Sequence, residues 1–189
     1  MYKENSMLSR SLFIVFLLVY SLQASEPGWQ KLDNCILIEN KWKDGDSFHV
    51  KDHGKEYIFR LYFVDTPEVE AEFPERVAEQ AKYFKISSSR LLKIGQEAAD
   101  FTNKTLAGKS FTVWTLWEDA RGESSMPRFF GIIKVGGHDL AELLVENGLA
   151  RVYGKPTTLP DGITSKVFWK KLEQLEDKAK QEKKGAWGS

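Results

Sequence analysis

Phe59-Arg60-Leu61-Tyr62-Phe63-Val64-Asp65-Thr66-Pro67-Glu68 (FRLYFVDTPE) is an apolar run broken once by an arginine and ended by two carboxylates around a proline. The strong β-formers from Tyr57 to Val64 predict a strand. Packing gives no reason for Arg60 inside it. Pro67 lacks an N–H and pushes Thr66 towards an extended conformation, so Asp65-Thr66-Pro67-Glu68 predicts a rigid exit from that strand. Side chains alternate across a strand, so Arg60 and Asp65 share a side only if the strand ends between them. An exit there turns Asp65, the Thr66 carbonyl and Glu68 towards one point.

Upstream, Cys35-Ile36-Leu37-Ile38 and Ser47-Phe48-His49-Val50 read as two strands joined through Asp44-Gly45-Asp46. Asp52-His53-Gly54 marks the reversal into the strand that carries Arg60, giving an antiparallel meander. Downstream, Pro74 stands at a helix start, with Val77, Ala81 and Phe84 at helical spacing before Ser87-Ser88-Ser89. A second helix carries Leu91, Ile94, Ala98, Phe101 and Thr105 and stops near Gly108. Phe111 to Trp117 and Phe129 to Val135 read as a fourth and a fifth strand. Leu140, Leu143 and Leu144 then form a short helix stopped by Gly148, and a charged helix runs from Thr164 to Lys184. This order predicts an α+β fold: a five-stranded Greek-key barrel of the OB type with a helical insert between strands 3 and 4 and C-terminal helices. Such barrels often bind oligonucleotides, but the fold by itself assigns no function.

With 189 residues and 42% hydrophobic content, one domain with one core accounts for the chain. The 27 basic and 27 acidic residues cancel, which excludes a global positive field for gathering nucleic acid or anionic membrane. Any polyanion must be gripped locally. Residues 1–25 read as an export signal: Lys3 and Arg10 precede the apolar run Leu12 to Tyr20, followed by Ser21-Leu22-Gln23-Ala24-Ser25. Met7 is an alternative start. The run is too short to span a membrane, so residues 26–189 are expected as a single exported domain without stable membrane association. The lone Cys35 allows no internal disulfide, and its apolar neighbours favour a buried thiol.

Asp46 joins Asp65, the Thr66 carbonyl and Glu68 if the hairpin through His53 runs back alongside. Such an all-oxygen cluster suits a hard cation such as calcium or magnesium and not zinc. None of His49, His53 and His138 has a spaced partner. Arg60 offsets the crowded carboxylates, and Arg128, before the fifth strand, supplies a second guanidinium, with Arg121 in the same loop as the alternative. Two arginine forks, a divalent cation and a spare carboxylate suit phosphodiester hydrolysis, in which a water is deprotonated and growing charge on phosphate is held. Asp44 reads as a turn residue, Glu97 and Glu142 as solvated or capping residues, and Lys178, Lys180, Lys183 and Lys184 as a solvated helix face.

Asp44-Gly45-Asp46-Ser47, the F-R-L-x-x-V-D-T-P-E run at Phe59 to Glu68, Arg128 before an apolar strand and E-N-G-L-A-R-V at Glu146 to Val152 together resemble the staphylococcal nuclease (thermonuclease) family. The resemblance spans roughly Cys35 to Trp187. It implies that Asp46, Asp65 and the Thr66 carbonyl ligate Ca²⁺, and that Glu68 activates the attacking water and contacts the metal through water. It further implies that Arg60 and Arg128 bind the scissile phosphate, and that the substrates are DNA and RNA, cut at P–O5′ to leave 3′-phosphate ends. A monomer acting preferentially on single strands is expected. Three departures stand out. The chain between Glu68 and Gln96 is longer by about a helix, a candidate wall or lid. Met126-Pro127 replaces the expected tyrosine and glycine. Tyr153 is the sole candidate for a nucleotide-stacking tyrosine. The rival expectation is a nucleic-acid-binding module with weak or no catalysis, and a third is a charged cluster that binds calcium for stability.

Overall fold

The computed structural model describes residues 28–38, 44–120 and 126–188. Strands β1 (Gln30–Ile38), β2 (Ser47–Asp52) and β3 (Lys55–Leu61) form the expected meander. β2 and β3 pair from Ser47↔Arg60 to Asp52↔Lys55 around His53 and Gly54, both at positive φ. On its other edge β1 pairs with β5 (Phe111–Thr115), and β5 pairs with β6 (Arg128–Val135). β6 then runs parallel to β3 from Ile58↔Arg128 to Leu61↔Gly131. Each of these five strands therefore has two neighbours and the sheet closes on itself, which is the α+β, OB-type barrel expected. Its interior is filled by Val50, Phe59, Leu61, Val113 and Ile133, all buried.

Several boundaries differ from the sequence reading. The strand through Arg60 stops at Leu61 and not at Val64. Phe63 adopts φ 69°, a left-handed conformation that no continuous strand tolerates, so Val64–Asp65 becomes a separate short strand, β4. β4 pairs with β8 (Arg151–Val152), which places Asp65 opposite Arg151. β5 likewise ends at Thr115, before Trp117 at φ 56°. A further short strand, β7 (His138–Asp139), turns back and pairs antiparallel with the end of β6.

The insert is two helices. In α1 (Pro74–Phe84) proline occupies the first turn, where its missing N–H costs nothing, and Val77, Ala81 and Phe84 are buried. Lys85, in left-handed conformation, ends α1, and the Ser87 hydroxyl accepts from the Arg90 N–H to start α2 (Ser88–Leu106). The α2 stripe buries Leu91, Ile94, Ala98 and Leu106. Asp139 caps α3 (Leu140–Glu146) by accepting from the Ala141 and Glu142 N–H groups. α4 (Ser165–Gln181) buries Phe168 and Leu172, and a 3-10 turn at Gly185–Trp187 follows.

Cys35 is fully buried and its thiol is pushed up to about 12, chiefly by that burial. The expected solvated lysine face carries surface ion pairs, Lys178 with Glu146 and Lys184 with Glu182, while Lys180 reaches the buried Glu176. Glu97 and Glu142 pair with Arg90 and Lys171. The export-signal reading, residues 1–25, and Arg121 both lie outside the described residues. Among the described residues no helix is long and apolar enough to cross a membrane.

Candidate nuclease site

The break at Tyr62-Phe63 is what assembles the site. Arg60, the penultimate residue of β3, stands opposite Ser47, so the Asp46 carboxylate lies beside its guanidinium, with Arg60 Nη2 to Asp46 Oδ2 at 3.1 Å. Because the chain reverses hand at Phe63, Asp65 returns to the same side, and Arg60 Nη2 also donates to Asp65 Oδ1 at 2.9 Å. The Thr66 N–H donates to Asp46 Oδ2 at 3.1 Å and ties the D-T-P-E exit to the β2 entrance. Arg128, level with Ile58 on β6, donates through Nη1 to Ser47 Oγ at 3.3 Å. The structure thus groups Asp46, Arg60, Asp65, Thr66 and Glu68 at one end of the barrel, with Arg128 on the adjoining strand.

The exit is held from beneath by α2. A Cβ added at Gly95 would lie 2.2 Å from the Glu68 carbonyl oxygen and 2.7 Å from that of Pro67, so only glycine permits this approach. Gly45 is similarly hemmed in, since a Cβ there would lie 2.9 Å from both Ala98 Cβ and Thr66 Cγ2. The Thr102 hydroxyl donates to the Gly45 carbonyl at 2.7 Å. Two small-residue contacts therefore bring both halves of the site down onto one helix.

Asp44, read as a turn residue, makes its turn bond by accepting from the Asp46 N–H at 3.4 Å, but the same oxygen accepts from the Thr66 hydroxyl at 3.0 Å. It is a member of the carboxylate group, and burial pushes its carboxyl up. Burial also pushes Asp46 up to about 8, against the pull of Arg60. Arg60 is raised mainly by Asp46, whereas Arg128 is lowered by burial and by Arg60 nearby.

Three further residues enter from elements that the reading of FRLYFVDTPE did not reach. Gln80 on α1 is fully buried; its Nε2 donates to Asp65 Oδ2 at 2.9 Å and to the Thr66 carbonyl at 3.0 Å. Its Oε1 accepts from the Glu68 N–H at 3.0 Å. Arg76, one turn earlier, pairs through Nε with Glu68 and through Nη2 with Asp65 Oδ1 at 2.5 Å. Arg151 on β8 donates through Nε to Asp65 Oδ2 at 2.9 Å and through Nη1 to Glu79 at 2.9 Å. The available signal was a polar stripe, Arg76, Glu79, Gln80 and Tyr83, at i, i+3, i+4 and i+7 beside the apolar stripe of α1. Tyr153 is 49% exposed and its ring lies 4.1 Å from the guanidinium of Arg151, the arginine that holds Asp65.

The family's sequence profile, described as staphylococcal nuclease homologue, matches residues 58–189, from β3 to the C-terminus. The chain belongs to the staphylococcal nuclease family. It is 29% identical over 151 residues to the fission yeast (Schizosaccharomyces pombe) staphylococcal nuclease domain-containing protein 1, covering 77% of this chain and 15% of that protein. An uncharacterized protein of Bacillus anthracis is 28% identical over 150 residues, 77% of this chain and 57% of its own length. Ribonuclease TUDOR 2 of Arabidopsis thaliana is 33% identical over 91 residues, 48% of this chain and 9% of its own. The chain thus spans less than two thirds of each of these relatives. Family membership fixes the OB-type fold and narrows the function to a nuclease or a nucleic-acid-binding module.

Among the described residues, no three His, Cys, Asp or Glu side chains are grouped closely enough to hold a metal by themselves. A set of two carboxylates and a backbone carbonyl, as the family resemblance implies, is smaller than that. One atom fits a cation directly: Asp46 Oδ1 is buried without a hydrogen-bond partner. A buried carboxylate oxygen left bare is costly, and a hard cation satisfies it. Asp46 therefore offers a bare oxygen suited to a hard cation, while Asp65 and the Thr66 carbonyl offer oxygens that Arg76 and Gln80 also engage.

Proposed function

We propose that this staphylococcal nuclease family domain is an exported, monomeric, calcium-dependent nuclease that hydrolyses DNA and RNA, with single strands preferred. What carries the reading is the shared bonding of Arg60 to Asp46 and Asp65 at the end of β3, with Glu68 on the rigid exit beside them and Arg128 on the adjoining strand. Asp46, Asp65 and the Thr66 carbonyl hold the cation, which supplies charge neutralisation and polarises a bound oxygen when present. Glu68 takes the proton of the attacking water. The water oxygen bonds to phosphorus, the P–O5′ bond breaks and the 5′ oxygen leaves with a proton from solvent, giving a 3′-phosphate end. Arg60 and Arg128 hold the phosphate oxygens through the transition state, a task suited to a planar fork and not to a point charge. Tyr153 is assigned to nucleotide stacking, from its exposure and its place next to the site. The RNA half of the substrate range gains support from a relative named a ribonuclease.

The test is cleavage of single-stranded DNA and RNA with calcium, with magnesium and with chelator, beside Glu68→Gln. Calcium-dependent cleavage that drops by orders of magnitude in the variant is the expected result. A binding-module reading is favoured by one observation, the pairing of the Glu68 carboxylate with Arg76. Binding of oligonucleotide without cleavage under every ion condition selects it.

A further inference from the structure

The polar stripe of α1 meets the site through four side chains, and three of them have settled partners. Gln80 is fully buried among Asp65, Thr66 and Glu68. Glu79 pairs with Arg151, and the Tyr83 hydroxyl donates to the buried Glu176 at 2.6 Å. These contacts, with Val77, Ala81 and Phe84 in the core, fix α1 as a wall of the site.

Arg76 differs from the other three. Its side chain is 35% exposed, so it has room to leave, and it spans two carboxylates with separate nitrogens of one guanidinium. Asp65 Oδ1 accepts from both Arg60 and Arg76, whereas Asp46 Oδ1 on the other side of Arg60 accepts from nothing. Two guanidiniums therefore converge on Asp65 and one of them also holds Glu68, whereas Asp46 is held by Arg60 alone, through Oδ2, and its Oδ1 is bare. A divalent cation bridging Asp46 and Asp65 must share Asp65 with the Arg76 fork, and like charges at that range repel strongly in a partly buried site. Arg60, buried deeper and bonded to both aspartates, is the guanidinium that stays.

We propose that Arg76 is a resident counter-ion that a divalent cation displaces from Asp65 and Glu68, so that cation binding also frees the Glu68 carboxylate for water. This rests on the calcium-dependent reading given above. Arg76 acts through Asp65 and Glu68 and is a positioning residue; it sets the cation affinity of the site and links base release to metal occupancy.

Calcium titration calorimetry on the wild type, Arg76→Gln and Arg76→Lys, with melting temperatures in chelator and in calcium, tests this. Arg76→Gln is expected to bind calcium about tenfold more tightly, within the usual range of coupling between two competing ligands. It is also expected to melt lower than the wild type in chelator and to recover most of the difference in calcium. Arg76→Lys, whose single ammonium reaches one carboxylate at a time, falls between. Should Arg76→Gln not fold in chelator, the lysine variant carries the same comparison. Equal or weaker calcium binding by the variants, with measurable binding in the wild type, overturns the role of Arg76 and leaves the cation reading standing. Absence of calcium binding in all three proteins overturns both.

Discussion

Gly95→Ala is the most direct test of how the site is held. Alanine exceeds glycine as a helix former by about 1 kcal/mol, so at an exposed position of α2 the change would stabilise the fold. At position 95 the added carbon would sit 2.2 Å from the Glu68 carbonyl oxygen, where carbon–oxygen contacts normally close at about 3.3 Å. Either α2 or the D-T-P-E exit must therefore move by roughly 1 Å. Overpacking of this kind costs about 1–3 kcal/mol, which outweighs the helix gain in most of its range and leaves a net loss of up to about 2 kcal/mol. For a chain of this size that lowers Tm by up to about 8 °C. The same movement displaces Glu68, and misplacement by about 1 Å costs on the order of a hundredfold in turnover. Thermal unfolding by circular dichroism and cleavage of single-stranded DNA at 25 °C read the two effects separately. A variant as stable and as fast as the wild type would refute the claim that α2 props the exit through this glycine.

Other consequences are narrower. Cys35, buried with its thiol pushed up to about 12, should resist thiol reagents at pH 8 in the native protein and react fully in denaturant. The Asp139 carboxyl is pushed up to about 7, first by burial and then by Glu142, so the folded state binds its proton more tightly than the unfolded chain. Its contribution to stability is present below about pH 4 and is lost as pH rises towards 7; Asp139→Asn, which keeps a capping oxygen, should flatten that part of a stability–pH curve measured by urea unfolding. Tyr83→Phe removes the hydroxyl that donates to buried Glu176 and should cost about 1–2 kcal/mol in the same assay. Arg60→Lys should lose turnover steeply while the fold survives, because one ammonium cannot hold Asp46 and Asp65 as the guanidinium does; near-wild-type cleavage rates would contradict that.

The barrel was legible because its signals are local. Alternating β-formers, the Asp52-His53-Gly54 reversal and Pro74 at a helix start each report a few residues at a time, and the five strands they mark are the five that close the ring. What local pattern could not supply was the hand of the backbone at Phe63. A phenylalanine at φ 69° has no sequence signature, because its conformation is imposed by bonds from distant residues: its N–H donates to Lys155, and its carbonyl accepts from Tyr153. The same limit hid Arg151, whose partner Asp65 lies across a two-residue ladder. Arg60, Asp65 and Glu68 were visible since they share one short motif. Arg76 and Gln80 have no such motif: the spacing of Val77, Ala81 and Phe84 marks the buried face of α1, and nothing local specifies what its polar face meets.

The parallel seam between β3 and β6 bears on how easily this architecture takes new parts. Closing it joins Leu61 to a strand that starts at Arg128, with both insert helices inside the loop. The entropy of closing a loop grows only with the logarithm of its length. Lengthening a loop of some 55 residues by the 11 of α1 adds only about 0.2 kcal/mol to that closure. A helix that brings Arg76, Glu79, Gln80 and Tyr83 to the mouth of the barrel thus burdens ring closure hardly at all, and its own buried stripe secures it once there. Chain length at this crossover is consequently an inexpensive variable, through which a barrel of this kind can acquire different side chains at its mouth without altering the strands that carry Arg60 and Arg128.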